Sequence, residues 1–235
     1  MRRSTANVFR PEHYQEAVCP WGPRWTLAGV AEVLEPMVLP RRAARIRRVL
    51  ESRLDSICLV LDAPHDPHNG AAVLRTCDAL GVQALHVVER IEPFVVADTV
   101  SLGTERWVDV IAHRSAENAV QALRAQAMTL AVADPTGDRL PRELAQVERL
   151  ALVLGNEKDG VCETLKAAAD LTVRIPMRGF VESLNVSVSA ALLLSSAAEG
   201  RPGDLKPDRY RWLYARALYR SVPRSGEVLA NLEPR

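Results

Sequence analysis

Three stretches of this chain carry side chains whose types and spacing could do chemistry. The first, DPHNGAAVLRTCDALGV (residues 66–82), sets Asn69, Arg75 and Asp78 among apolar residues. Asn69 follows Pro67 and is expected to cap a helix whose Leu74, Cys77 and Leu80 face a core. Arg75 falls off that apolar row. Its spacing allows a surface pair with Asp78, or a guanidinium aimed with Asn69 into a cleft where a phosphate or hydroxyl would sit. The second stretch, LVLGNEKDGV (152–161), has a Glu157 beside turn-forming glycines but lacks the endings of a phosphate loop. It suits a cationic or hydroxyl-bearing ligand better than a nucleotide phosphate, and an ordinary loop with exposed acids is equally consistent. The third, IPMRGFVESLNVSVSAALLLSS (175–196), reads as a loop leading into a buried helix of small residues with Ser183 as its cap. Asn185 then lies near the start of that helix, where a lone amide needs partners.

These stretches must be positioned by something, and the surrounding pattern says what. Short runs rich in β-branched residues occur at 57–62, 84–89, 108–112, 128–134, 150–155 and 171–175. Helix-like stretches at 69–80, 115–126, 162–169 and 185–198 fall between or after them. Near-continuous apolar strands alternating with helices predict an α/β fold, a parallel sheet with helices on both faces. Ligands of such sheets bind beyond the carboxyl ends of the strands. Residues 62–69, 133–137, 155–160 and 176–185 are therefore where a site is expected, and all three chemical stretches reach them.

Composition narrows the classes further. The chain has 235 residues, 48% hydrophobic and 25% charged, within the range of globular proteins. No apolar run approaches the roughly 20 residues of a membrane span, so no membrane role is expected. Cys19, Cys58, Cys77 and Cys162 are widely spaced with no C-x-x-C pair, so neither disulfide nor metal site is expected, and the cytoplasm is the expected compartment. The net charge of +1 conceals an uneven distribution. Residues 1–55 carry +4, 56–199 carry −7 and 200–235 carry +4. This predicts a central domain, 56–199, between a basic N-terminal extension (1–55) and a basic helical tail (200–235). The segment RRAARIRRVLESR (41–53) is expected to be a helix with Ile46, Leu50 and Leu54 on one side. Its arginines form either a solvated face or a contact for a polyanion. Residues 208–222 are expected to be a second amphipathic helix, with Tyr210, Leu213, Ala217 and Val222 inward. Trp21 and Trp25 are expected to pack on the protein rather than stack on bases.

In this order the three stretches, N-x-x-x-x-x-R-T-x-D-A-x-G-V, G-x-E-x-x-G and I-P-M-x-G-x-x-x-S-L-N-V-S-V, resemble the motifs of the SpoU/TrmH family of RNA ribose methyltransferases, within the SPOUT superfamily. The resemblance spans about residues 45–198. R-T-C-D-A, the pair Trp107–Val108 preceded by Ser101 and Gly103, and G-x-E-K-x-G resemble the branch acting on tRNA guanosine ribose. The resemblance implies a C-terminal deep trefoil knot, a homodimer with shared active sites, and S-adenosyl-L-methionine as cofactor. It implies RNA as partner, tRNA foremost, with DNA not expected. Carried over residue by residue, it implies cofactor binding by Ala133, Leu154, Gly155, Ile175, Met177 and Leu184. Catalytic roles fall to Arg75, Asn69, Glu157, Ser183 and Asn185, and RNA contacts to Arg41, Arg42, Arg45 and Arg48. Two positions depart from the family pattern: Glu182 stands where Gln is usual, and Arg178 where an apolar residue is. A ribosomal-RNA substrate and a non-catalytic RNA-binding module on the same fold are the competing readings. An oxidoreductase would fit the sheet but lacks a dinucleotide fingerprint.

Overall fold

The computed structural model describes residues 8–9, 19–90, 93–94 and 103–233; Ser101 lies outside them. The chain divides into two compact units. One comprises Asp55–Arg201 together with the short N-terminal strand; the other brings residues up to Leu54 together with those from Pro202 onward.

The first unit is built on a seven-stranded sheet. Its strands are β1 (Val8–Phe9), β2 (Leu54–Asp62), β3 (Val82–Val88), β4 (Asp109–His113), β5 (Thr129–Ala133), β6 (Leu150–Leu154) and β7 (Leu171–Val173). They lie in the order β1-β4-β3-β2-β6-β5-β7. The pairings β1–β4, β3–β4, β2–β6, β5–β6 and β5–β7 are parallel. In the central pair, Ile57 through Leu61 of β2 lie opposite Leu150 through Leu154 of β6. From β2 the chain proceeds outward through β3 and β4, then returns to build β5, β6 and β7 on the other side of β2. The order therefore reverses between β2 and β6, and the loops after those strands flank a natural ligand crevice.

Helices α3 (Pro67–Ala79), α4 (Ala116–Ala125), α5 (Glu163–Ala167) and α6 (Val186–Ala198) complete this unit. Cys58, Val60, Leu130, Val132, Ala151 and Val153 present one sheet face to Ala119 and Leu123 of α4 and Leu165 of α5. The alternate positions Leu59, Leu61, Leu152 and Leu154 point to the opposite face by the strand pleat and are also buried. Burial on both faces is why these strands read as continuous apolar runs.

The sheet also contains a sealed polar pair. His86 on β3 and His113 on β4 are almost fully buried, and His86 Nδ1 lies 2.8 Å from His113 Nε2. Their rings are stacked with centroids 5.1 Å apart. Burial, then the neighbouring His113, pushes the His86 imidazole down to about 3. Gln83 and Asp109 sit nearby, with Gln83 Nε2 donating to the Trp107 carbonyl and to Asp109 Oδ2.

In the second unit, α1 (Leu27–Leu34), α2 (Pro40–Glu51), α7 (Pro207–Ser221) and α8 (Ser225–Ala230) form a helical cluster. Helix α2 buries Ala43, Ile46 and Leu50, as its periodicity requires. Leu54 is not on that helix. Ser52 ends α2, and Leu54 opens β2 instead. Helix α7 departs further from expectation, because Trp212 through Leu218 are buried without interruption, Arg216 included. The other helices of the unit pack around α7, so its middle has no solvent face. Arg216 is accommodated by stacking over the Trp212 ring at 4.4 Å. Trp21 and Trp25 are both buried, with Trp21 set edge-on to Tyr219.

Candidate active site

Three loops at the carboxyl ends of the strands wall a cavity of about 810 Å³. Ala133 ends β5 and Asp134 follows it, Leu154 ends β6 and Gly155–Glu157 and Gly160 follow it, and Arg174–Met177 with Val181–Leu184 follow β7. All six expected cofactor residues, Ala133, Leu154, Gly155, Ile175, Met177 and Leu184, line this one cavity, as do Glu157 and Ser183. The wall mixes apolar side chains with polar groups and carries the carboxylates Asp134, Glu157 and Glu182. Arg174 also lines it, with its guanidinium hydrogen-bonded to the Gly137 carbonyl. Thr136, donating through its hydroxyl and its N–H, holds the Asp134 carboxyl below the usual range.

The loop after β6 owes its shape to its glycines and one asparagine. A Cβ at Gly155 would lie 2.1 Å from the Gly160 carbonyl carbon, so only glycine allows the loop to fold back on itself. Gly160 closes the turn with φ +66, in the left-handed region. Between them Asn156 is buried, and its Oδ1 accepts from the N–H groups of Lys158 and Asp159. The turn leaves Glu157 exposed at the rim.

The loop between β2 and α3 supplies Asn69, though not as a cap. The Asp66 carboxylate caps α3 by accepting from the His68 N–H, and Pro67 occupies the first helical position, where no N–H is needed. Asn69 thus sits inside the first turn with its amide released for other partners. Ser183 does not cap α6 either; that place is taken by Asn185, whose Oδ1 accepts from both the N–H and the hydroxyl of Ser187. A short amide side chain two residues before an N–H reaches it more directly than a hydroxyl further upstream, so the helix begins at Val186 and Ser183 stays in the loop. Nor is α6 buried all round: Ala190, Leu193, Leu194 and Ala197 are, whereas Val188 and Leu192 are each 45% exposed.

The three stretches then meet. Asn69 Nδ2 donates to Glu157 Oε1 at 2.5 Å, and Asn185 Nδ2 donates to Asn69 Oδ1 at 3.0 Å. Ser187, Asn185, Asn69 and Glu157 form a polar relay joining the loops after β2, β6 and β7. A second tie lies beneath it. Asp62, fully buried at the end of β2, accepts from Arg90 Nε at 2.6 Å and from the Cys162 N–H at 2.7 Å. The hydrogen bond to Asp62 raises the Arg90 guanidinium above its ordinary value. Asp62, Asp66, Asn156 and Ser187 were not singled out from the sequence. Each has a local signal in hindsight: an acid ending an apolar strand, or a short polar side chain that bonds its own turn.

Arg75 is exposed on α3, six residues beyond Asn69 and about 9 Å along the helix axis, and does not line the cavity wall. Arg41, Arg42, Arg45 and Arg48 all lie on the exposed side of α2 in the second unit. Their neighbour Arg47 is paired with Glu35 and stacked over the Tyr214 ring.

Known proteins resemble this chain in sequence and in fold. The family model described as the SpoU rRNA methylase family matches residues 56–195. The chain belongs to that family. A SpoU relative from Thermus thermophilus, named tRNA (guanosine(18)-2'-O)-methyltransferase, is 38% identical over 161 residues, 68% of this chain and 83% of the relative. The structure of the A. aeolicus TrmH/SpoU tRNA modifying enzyme superposes with a TM-score of 0.70 at 26% identity, covering 82% of this chain and all of that one. The SpoU methyltransferase AviRb from Streptomyces viridochromogenes, in complex with AdoMet, matches at a TM-score of 0.55 and 25% identity over 63% of this chain and 60% of AviRb.

Proposed function

We propose that the protein is an S-adenosyl-L-methionine-dependent methyltransferase acting on a ribose 2′-hydroxyl of RNA, with a guanosine in the tRNA D-loop as its target. The observation that carries this reading is the relay: Asn69, Glu157 and Asn185, from three separate motifs, are hydrogen-bonded at the rim of one cavity. The cavity suits the cofactor. Its apolar side chains and backbone groups around Leu154, Ile175, Met177 and Leu184 match a purine. Its carboxylates, Asp134, Glu157 and Glu182, match a molecule bearing sulfonium and ammonium charges. When bound, S-adenosylmethionine supplies the electrophilic methyl group.

This chain's own residues do the rest. A ribose hydroxyl is a weak nucleophile and must lose its proton as the new bond forms. Arg75 stays charged, because a guanidinium does not give up its proton near neutral pH, and it steadies the developing oxyanion or the adjacent phosphate. Asn69 and Asn185 hold the loops in register, Glu157 adds negative charge at the cavity rim, and Ser183 orients the loop leading into α6. Arg41, Arg42, Arg45 and Arg48 grip RNA phosphates from the basic extension, with the basic tail contributing to the same role. The knot passes through the loops walling the cavity, and the active form is a cytoplasmic homodimer. Exposed Val188 and Leu192, one turn apart on α6, support that dimer, since a second copy would cover them. No helix among the described residues is long and apolar enough to cross a membrane.

Methyl transfer from labelled S-adenosylmethionine to unmodified tRNA and, separately, to ribosomal RNA tests this reading. Label on a ribose 2′-oxygen of tRNA, lost in Arg75→Ala, supports it. Label on ribosomal RNA alone would keep the chemistry and overturn the substrate. Transfer to neither RNA, with cofactor bound, would favour a binding module.

A further inference from the structure

The loop that presents Asn69 is held by residues that belong to none of the three motif stretches. It leaves β2 through Asp62 and Ala63. Ala63 lies in the left-handed region, at φ 47, a conformation that costs a residue with a Cβ and persists only where its surroundings fix it. The end of β3 does so. The Ala63 N–H donates to the Val88 carbonyl at 3.0 Å, and Arg90 donates to both oxygens of Asp62, at 2.6 and 3.2 Å.

The far end of the loop is held from the same side. Phe94 is buried, and Glu89 Oε1 accepts from its N–H at 2.8 Å. Its ring lies against Gly70, the residue after Asn69: a Cβ at position 70 would come within 2.7 Å of Phe94 Cε2 and 2.9 Å of Cζ. Gly70 is inside α3, where alanine is the better helix former, so contact with the ring and not the helix favours glycine there. A further bond extends the hold to the loop after β6. Asp62 Oδ2 also accepts from the Cys162 N–H at 2.7 Å, so the loops carrying Asn69 and Glu157 are tied twice, at Asp62–Cys162 and at Asn69–Glu157. Arg90 fixes the carboxylate of the first tie, and Phe94 packs beside the second.

We propose that Arg90 and Phe94 are positioning residues for methyl transfer. Arg90 fixes the start of the β2–α3 loop and Phe94 the helical turn that carries Asn69, so that the Asn69 amide stands where it bridges Glu157 and Asn185. Neither residue lines the cavity, so both act on the relay at its rim and not on cofactor binding. Their part in the reaction rests on the methyltransferase reading above, but their placement of Asn69 does not.

Two measurements on the full-length protein test it. The first exchanges volume across the ring contact. Gly70→Ala is expected to lower kcat about tenfold although alanine favours the helix, with calorimetric binding of S-adenosylmethionine unchanged. Adding Phe94→Leu, whose side chain lacks the Cε and Cζ atoms that the new methyl would meet, is expected to restore most of the rate. A Gly70→Ala variant with wild-type kcat, or a loss that Phe94→Leu does not relieve, would overturn the role of Phe94. The second reads the amide itself by NMR. The Asn69 Nδ2 proton signals are expected to shift in Gly70→Ala and to return in Gly70→Ala with Phe94→Leu. They are also expected to shift in Arg90→Lys, because an ammonium does not reproduce the two-oxygen grip of the guanidinium on Asp62. Signals that stay in place in either single variant overturn the role of the residue concerned, whether or not the protein transfers methyl groups. A wild type that transfers no methyl group would overturn the functional reading and leave the NMR shifts to decide the positioning.

Discussion

Two polar clusters in the same sheet unit obey opposite rules. His86 and His113 are closed inside the sheet, where burial pushes the His86 imidazole down and the two rings share a hydrogen bond. Asn69, Glu157 and Asn185 sit at the strand ends, half-exposed, and link loops that are 88 and 116 residues apart in the chain. The first cluster is set by two adjacent strands, while the second exists only where three loops converge. The lesson is that desolvation dominates the first and geometry the second. Changes in the sealed pair should therefore register as stability, and changes at the rim as rate.

The largest expected effect is on rate, at Arg75 on the helix that carries Asn69 of the rim. Arg75→Ala should lower methyl transfer about 10²–10³-fold, in line with loss of one oxyanion-stabilising group, while calorimetric binding of S-adenosylmethionine is unchanged. Arg75→Lys should recover little, since an ammonium does not reproduce the guanidinium fork. If Arg75→Ala instead weakened cofactor binding and left kcat alone, the division between rim and cavity would be wrong.

Next comes the sealed pair, which should leave an acid signature on stability. The His86 midpoint is depressed in the folded state to about 3 from an ordinary 6.5, so between those values the unfolded chain binds a proton the native one refuses. Stability is full above pH 6.5 and falls on acidification by up to about 1.4 kcal/mol per pH unit until pH 3. Urea midpoints measured from pH 7 down to pH 4 check this. Replacing both histidines with leucine should flatten the acid slope and spare methyl transfer at pH 7.

A smaller effect separates two members of the relay. Asn69→Ala and Asn185→Ala should each slow transfer by roughly tenfold, and together by little more than either alone. Only Asn185→Ala also removes the α6 cap, so it alone should lose about 1 kcal/mol of stability in denaturant titration. Equal stability losses in the two variants would undo the distinction between cap and bridge. Least per residue are the α2 arginines. Each of Arg41, Arg42, Arg45 and Arg48 changed to alanine should reduce the salt slope of RNA binding by about 0.7–0.9, with no change in single-turnover rate on saturating RNA.

Much of the fold was legible because strands buried on both faces write their own pattern. The six longer strands and the helices between them lie within a few residues of where apolar runs and helical spacing put them. Helix α7 was misread because the heptad-like spacing of Tyr210, Leu213 and Ala217 implies one wet side, while the surrounding helices cover the rest of its middle. The caps were misread because several short polar residues precede each helix, and which of them reaches an N–H depends on the backbone angles of the loop.

By itself the sequence determined the parallel α/β architecture and the three motif loops. These follow from local periodicity and from residue types that only certain turns accept, as Gly155 and Gly160 illustrate. The tertiary structure decided which residues touch: Asn69 with Glu157 and Asn185, Asp62 with Arg90, His86 with His113. It also decided that the two basic ends share one compact unit. Such pairings depend on strand order and on how loops converge beyond the sheet, and chain spacing carries no record of either.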